Sequence, residues 1–223
     1  MKQFDLVMFD LDGTLVQTAP EFLEAVNDTL RRFVLPEVTL TQVSDWIGNG
    51  MRELLIRAIA DACQAAPDAV RQSELLRLME PVFNVYFLQR CGTCSQLYPH
   101  VRETLTALRD RQVKLALVTN KESRYTQLVL AAHQLTDLFD AVVCGDTLPV
   151  KKPHPDGVER CLAQFGIAKN RALLVGDSCI DVATARRAGV AVWALPYGYN
   201  QGQPIEISAP DRVISDCSAL YCL

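Results

Sequence analysis

Asp10 and Asp12 stand two residues apart at the end of an apolar run, Leu6-Val-Met-Phe9, and are followed at once by Gly13 and Thr14. In an extended chain residues i and i+2 share a side, so the two carboxylates project together where the strand leaves the core. Gly13 lets the backbone turn away at that point. Two acids converging in a partly dry crevice repel each other unless a cation or a shared proton relieves them, which argues for a bound metal. Further polar groups follow other apolar runs. Thr119 and Asn120 come directly after Lys114–Val118 and offer a hydroxyl and main-chain donors suited to an anionic oxygen. Lys151 and Lys152 offer local positive charge, and Gly176-Asp-Ser-Cys-Ile-Asp181 brings a third and a fourth carboxylate, Asp177 and Asp181, with Ser178 between them. Taken singly these read as a helix cap, a solvated face and a common turn. Their order, each at the end of a successive apolar run, is what points to a site.

That order requires elements able to bring the run ends together. From residue 99 onward the pattern alternates: helices over 101–111, 122–133, 155–165 and 180–188, and strands over 113–118, 141–144, 172–175 and 190–194. Alternation of this kind predicts crossover units, a parallel sheet covered on both faces, and chemistry in the crevice beyond the carboxyl ends of the strands. The tail predicts a short strand over 211–214 and a final helical turn. After the first strand, about 80 residues pass with helical periodicity, far longer than an ordinary connection. Helices are expected over 20–34, from 39 to 43, over 51–63 and over 70–88. The insert reads as a small all-helical bundle with hinges near 16–17 and 92–99.

At 223 residues and 24.8 kDa the chain suffices for one core with a small appended domain. Hydrophobic residues at 49% with 22% charged fit an ordinary soluble protein. A formal charge of −4 with no Lys/Arg run gives no drive toward nucleic acid or an anionic membrane, so an anionic substrate must meet a locally positive site. The N-terminus lacks signal-peptide features and no apolar stretch would span a bilayer, which predicts a cytoplasmic protein. Of the eight cysteines, Cys63, Cys144, Cys161, Cys179, Cys217 and Cys222 are scattered through patterned segments and are expected to be buried free thiols; Cys91-Gly-Thr-Cys94 has redox or metal spacing but no second pair to complete a metal site.

The motifs Asp10-Leu-Asp-Gly-Thr-Leu15, Val118-Thr-Asn120, Lys152-Pro153 and Gly176-Asp-Ser-x-x-Asp181 resemble the four motifs of the haloacid dehalogenase-like superfamily, and the helical insert resembles its α-helical cap. The match covers essentially the whole chain. Trp46-Ile-Gly-Asn-Gly50, Thr119-Asn-Lys121, Lys151-Lys-Pro-His-Pro155 and Tyr197-Gly-Tyr-Asn200 further resemble the phosphoglycolate phosphatase group, although related sugar-phosphate phosphatases share several of them. The resemblance implies a Rossmann-like three-layer α/β core formed by residues 1–16 and 93–223, with a helical cap at 17–92.

It also implies a mechanism: Asp10 as nucleophile forming an aspartyl-phosphate, and Asp12 as general acid and then general base. One Mg²⁺ would be held by Asp10, the Asp12 main-chain carbonyl and Asp177. Thr119, Asn120 and Lys152 would bind the phosphoryl oxygens, with Ser178 and Asp181 supporting them. The substrate would be a small phosphorylated metabolite, 2-phosphoglycolate first, with neither nucleic acid nor membrane as partner and the protein a monomer or homodimer. The alternatives are a larger sugar phosphate such as N-acetylmuramate 6-phosphate, a phosphomutase, and a metal-dependent glycosyltransferase. In the cap, Asn49, Gly50 and Arg52 are the specificity candidates; Arg52 and Lys121 are the cations placed near the mouth, unless they are only exposed helix-surface charges. His100 and His154 are candidates by proximity, and His133 reads as a surface residue. Gln17 departs from the acid that relatives commonly carry after the first motif, which bears on the flap and hinge.

Overall fold

A computed structural model describes residues 4–222. Strand β1, Leu6–Phe9, is buried along its whole length and lies at the centre of a six-stranded parallel sheet. The other strands are β4 (Lys114–Val118), β5 (Ala141–Val143), β6 (Ala172–Gly176), β7 (Ala191–Ala194) and β8 (Arg212–Val213), in the order β5-β4-β1-β6-β7-β8. Alternate residues of β1 serve opposite layers, as the period of two requires. Val7 and Phe9 join the core formed with α6 (Val101–Asp110) and α7 (Ser123–Ala132). Leu6 and Met8 join the core beneath α8 (Asp156–Phe165) and α9 (Cys179–Ala188). The result is the expected α/β three-layer arrangement.

Register fixes where the strands end. Phe9 lies level with Leu117 on β4 and with Val175 on β6, so residue 10 emerges beside the last residues of both neighbours. The expected hinges are themselves paired. β2 (Val16–Gln17) and β3 (Gln96–Leu97) form a two-stranded antiparallel ribbon, in which Gln17 lies opposite Gln96 with its side chain in solvent.

Between the ribbon strands lie five helices: α1 (Ala19–Arg32), α2 (Leu40–Trp46), α3 (Met51–Ala62), α4 (Pro67–Arg71) and α5 (Glu74–Arg90). The single helix expected over 70–88 is two. The Ser73 hydroxyl donates to the Val70 carbonyl at the end of α4 and accepts from the Leu76 amide to cap α5, so one side chain closes one helix and opens the next. α1 packs on α5 with the Phe22 and Phe87 rings stacked at 4.6 Å, and Phe87 meets Tyr125 of α7 edge-on at 4.7 Å. One continuous apolar core therefore joins these helices to one face of the sheet.

Cys91, Cys144, Cys161 and Cys217 are buried and free, whereas Cys63 and Cys94 are exposed and Cys179 is half-buried, so burial does not hold for every thiol. Among the described residues no helix is long and apolar enough to cross a membrane.

Candidate active site

The ends of β1, β4 and β6 converge on one crevice. Asp10 follows β1, its amide donating to the Val175 carbonyl on β6 at 3.0 Å. The chain then closes a tight turn in which the Gly13 amide donates to the Val16 carbonyl at 2.9 Å. Gly13 has φ +88°, and a Cβ there would overlap the Asp177 carboxylate, so both conformation and space demand glycine.

Carboxylate oxygens of Asp10, Asp177 and Asp181 lie within 4.8 Å of one another. Each acid is held differently. Asp177 accepts from the Thr14 hydroxyl and, at 2.6 Å, from the Tyr199 amide. Asp181, with its side chain 1% exposed, closes a capping box at the start of α9 by accepting from the Ser178 hydroxyl at 2.6 Å and the Ser178 amide at 3.1 Å; its other oxygen faces Lys152 Nζ at 2.7 Å. Lys152 Nζ also lies 2.9 Å from Asp10 Oδ1.

Three acids thus cluster where one ammonium pairs with only two of them, Asp10 and Asp181. Burial pushes the Asp10 carboxyl up to about 6, against the pull of Lys152 and with the repulsion of Asp181 and Asp12 added. Burial, then the Asp181 and Asp10 charges, raise Asp177 well above the usual carboxylate range. Burial opposes the charge on Lys152, but Asp10 and Asp181 prevail and hold it more firmly protonated than a free lysine. Excess buried negative charge and a cluster of all-oxygen donors together fit a hard divalent cation. Asp10, Asp177 and Asp181 are the carboxylates placed to hold it.

On the other side of the turn, Asp12 Oδ1 accepts from Lys121 Nζ at 2.9 Å. The Lys121 side chain is fully buried, its ammonium 4.4 Å from the centre of the Phe22 ring and 4.9 Å from that of Phe87. Desolvation opposes its charge, yet Asp12 raises it above the ordinary lysine value. Beside Phe22, the buried Glu21 accepts from the Gly92 amide at 2.7 Å and the Ser95 amide at 3.1 Å, where the helices return to the sheet domain; burial raises its carboxyl.

A narrow cavity lies above these groups. Its polar floor is Asp10, Asp12, Thr119, Asn120 and Lys121, and its roof is Phe22, Ile47, Gly48, Gly50, Met51 and Leu54. The Thr119 hydroxyl accepts from the Lys121 amide at 3.2 Å. Asn120 donates to the carbonyls of Gly48 and Lys152, both at 3.0 Å, tying the roof loop to the lysine loop.

Of the three specificity candidates only Gly50 lines this cavity. Arg52 is half exposed and turns to Glu80 at 3.3 Å, and Asn49 presents its carbonyl to Lys151 Nζ at 3.0 Å, outside the cavity. His154 pairs with Asp156 at 2.9 Å in a neighbouring groove, His133 meets the Ser95 hydroxyl at 2.8 Å, and His100 is an exposed helix cap. Cys91 and Cys94 belong to no metal-binding cluster among the described residues, and burial pushes the Cys91 thiol up to about 12.

The sequence reading passed over Glu21, Phe22, Phe87 and the apolar roof. Tyr199 and Thr14 could have been found, because both sit inside motifs already singled out.

Comparison with known proteins agrees with this geometry. The family described as haloacid dehalogenase-like hydrolase matches residues 7–195. A phosphoglycolate phosphatase of Haemophilus influenzae (strain 86-028NP) is 41% identical over 99% of this chain and 98% of its own length. One from Nitrosococcus oceani is 37% identical over 96% of this chain and 93% of its own. A crystal structure described as a predicted phosphoglycolate phosphatase from Haemophilus somnus 129pt superposes with a TM-score of 0.92 at 38% identity, covering 99% of this chain and 97% of that one.

Proposed function

The chain belongs to the haloacid dehalogenase-like hydrolase family, and from that premise we propose that it hydrolyses a small phosphomonoester, 2-phosphoglycolate first among them, through an aspartyl-phosphate at Asp10. The observation that supports this reading is the meeting of Asp10 with Lys152 and Asp177 beyond the carboxyl ends of the parallel strands. Within the family, Asp12 and the acid cluster favour phosphoryl transfer over dehalogenation. A halide leaves as a stable anion and needs no proton donor, whereas an alkoxide does.

In the proposed reaction an Asp10 oxygen attacks phosphorus, the ester P–O bond breaks, and Asp12 gives its proton to the departing alkoxide. Asp12, now a carboxylate, takes a proton from the water that attacks the acyl phosphate; the Asp10–phosphorus bond breaks and phosphate leaves. Lys152 and Thr119 face the phosphoryl oxygens as negative charge spreads over them, and Asp181 holds the Lys152 ammonium at 2.7 Å for that task. Mg²⁺ held by Asp10, Asp177 and the Asp12 main-chain carbonyl would offset the charge that repels a phosphate dianion from Asp10.

Residues 17–92 act in this reading as a cap that excludes water, and its roof of Ile47, Met51 and Leu54 over main-chain groups of Gly48 and Gly50 suits a short leaving group. Residence in the cytoplasm, where such metabolites and reduced thiols occur, belongs to the same proposal.

The test is metal-dependent phosphate release from 2-phosphoglycolate, N-acetylmuramate 6-phosphate, hexose 6-phosphates and nucleoside monophosphates, compared by kcat/KM. A lead of about a hundredfold for 2-phosphoglycolate, roughly 2.7 kcal/mol of transition-state discrimination, is the expected result. A lead for a larger sugar phosphate overturns the substrate and keeps the chemistry. Retention of phosphate on the sugar would indicate a mutase, and no turnover of any ester overturns the whole reading.

A further inference from the structure

We infer that Lys121 is a positioning residue that couples docking of the inserted helices to the placement of the Asp12 carboxylate. The inference rests on Asp12 being the proton-transfer group of the proposed reaction.

Lys121 has an unusual set of partners for a buried cation. Its side chain is fully buried, yet its ammonium meets a single carboxylate, that of Asp12, at 2.9 Å. It also lies against the faces of Phe22 and Phe87, with ring centres at 4.4 and 4.9 Å, while the Glu21 carboxylate and the Cys91 thiol act on its charge from farther off. A desolvated ammonium lodged between rings is held by their quadrupoles, and that attraction is largest when water is excluded.

The two kinds of partner come from different parts of the chain. Asp12 lies on the turn after β1 and Lys121 on the loop after β4, so both belong to the sheet domain. Phe22 is on α1 and Phe87 on α5, both in the inserted helices, and these rings also stack on each other at 4.6 Å. Lys121 is therefore seated only when α1 and α5 lie against the sheet domain. With the helices displaced, the ammonium loses both rings, regains water and no longer fixes the direction of the Asp12 carboxylate. Glu21 adds to the arrangement: one position before Phe22, it binds the Gly92 and Ser95 amides where the helices rejoin the sheet domain, so the ring is carried by an anchored turn.

The Lys152 ammonium has no such partners from the inserted helices: its two carboxylates stand after β1 and in the first turn of α9, both in the sheet domain. The device at Lys121 would hold the Asp12 carboxylate in a fixed direction only over a closed site, where a poor leaving group depends most on its placement.

Leaving-group dependence tests the inference, with 2-phosphoglycolate against p-nitrophenyl phosphate, measured as kcat/KM for the wild type, Asp12→Asn, Lys121→Met, Phe87→Leu and the Asp12→Asn/Lys121→Met double variant. Asp12→Asn is expected to lose at least tenfold more on the alkyl ester than on the aryl one. Lys121→Met and, more weakly, Phe87→Leu should lose in that same selective pattern, Lys121→Arg should recover part of the loss, and the double variant should match Asp12→Asn to within about threefold. Phe87→Leu removes a ring that does not itself line the cavity, so it decides the matter even where Lys121→Met does not fold. Equal losses on both esters for the Lys121 and Phe87 variants, or a further tenfold loss in the double variant, would overturn the inference while leaving Asp12 in its role. If Asp12→Asn itself shows no leaving-group dependence, the proton-transfer reading fails and takes the inference with it.

Discussion

Two buried lysines flank the same turn, and the contrast between their surroundings divides the site in two. Lys152 sits in a polar nest between Asp10 and Asp181, built from the loops after β1 and β5 and the first turn of α9, which register in the sheet brings together. Lys121 sits in an aromatic nest with one carboxylate, Asp12, and two rings supplied by the inserted helices. The first arrangement is fixed by the rigid sheet and suits groups that must stand ready for phosphate. The second depends on two parts of the chain being docked, and it holds the group whose task is proton transfer.

The largest effect expected on this contrast is at the nucleophile. Asp10→Asn should lower turnover by at least about 10⁴-fold while circular dichroism shows the fold intact; turnover near that of the wild type would remove the polar nest from the chemistry altogether.

Stability separates the two lysines next. Lys152→Met strands Asp181, whose side chain is 1% exposed, and should cost about 3–5 kcal/mol in chemical denaturation. Lys121→Met leaves Asp12, 11% exposed beside the cavity, able to regain water, and places a thioether between two rings that accept it, so about 1–2 kcal/mol is expected. Equal costs would erase the distinction.

A smaller effect concerns pH. The Asp10 carboxyl is pushed up from its ordinary 3.8 to about 6, so between those values the folded chain binds a proton that the unfolded chain does not. Stability from this group is therefore gained as pH falls through about 6 and is absent at pH 7. His133, held below its usual range by burial and then by the Arg102 charge, acts in the opposite sense over part of that window, so the comparison must be between the wild type and Asp10→Asn, which share it. In metal-free protein the wild-type Tm should rise relative to the variant by a few degrees from pH 7 to pH 5, at about 2–4 °C per kcal/mol for a chain of this size. Saturating Mg²⁺ at pH 7 should stabilise the wild type more than the variant. An unchanged Tm difference at both pH values would contradict the strained charge at Asp10.

The smallest effect is expected at the rim. Lys151 Nζ donates to the Asn49 carbonyl at 3.0 Å and helps hold the roof loop, so Lys151→Met should raise KM about threefold with kcat little changed. A kcat effect larger than the KM effect would mean that this contact shapes the reacting groups instead.

The polar nest was largely legible in the sequence and the aromatic nest was not, for a physical reason. Asp10, Asp177 and Asp181 each follow an apolar run, and parallel register brings run ends together without further information. The capping box from Ser178 to Asp181 is a local pattern readable at three-residue spacing. Nothing near Lys121 in the chain announces rings at positions 22 and 87; helical periodicity assigns both to an apolar face but does not say which charged group that face will cover. The same limit applies to Arg52, near the mouth in sequence but turned to Glu80 on a neighbouring helix. The break at Ser73 was missed because apolar periodicity runs on through both helices while a single hydroxyl ends one and starts the other.

The most direct measurement is rapid acid quenching during turnover of 2-phosphoglycolate with Mg²⁺, followed by peptide mass spectrometry. The account predicts one phosphoryl group on the peptide bearing Asp10, localised to that residue and absent from Asp10→Asn. Steady phosphate release with no phosphoryl group on Asp10 at any quench time, or one carried on Asp12, would contradict it.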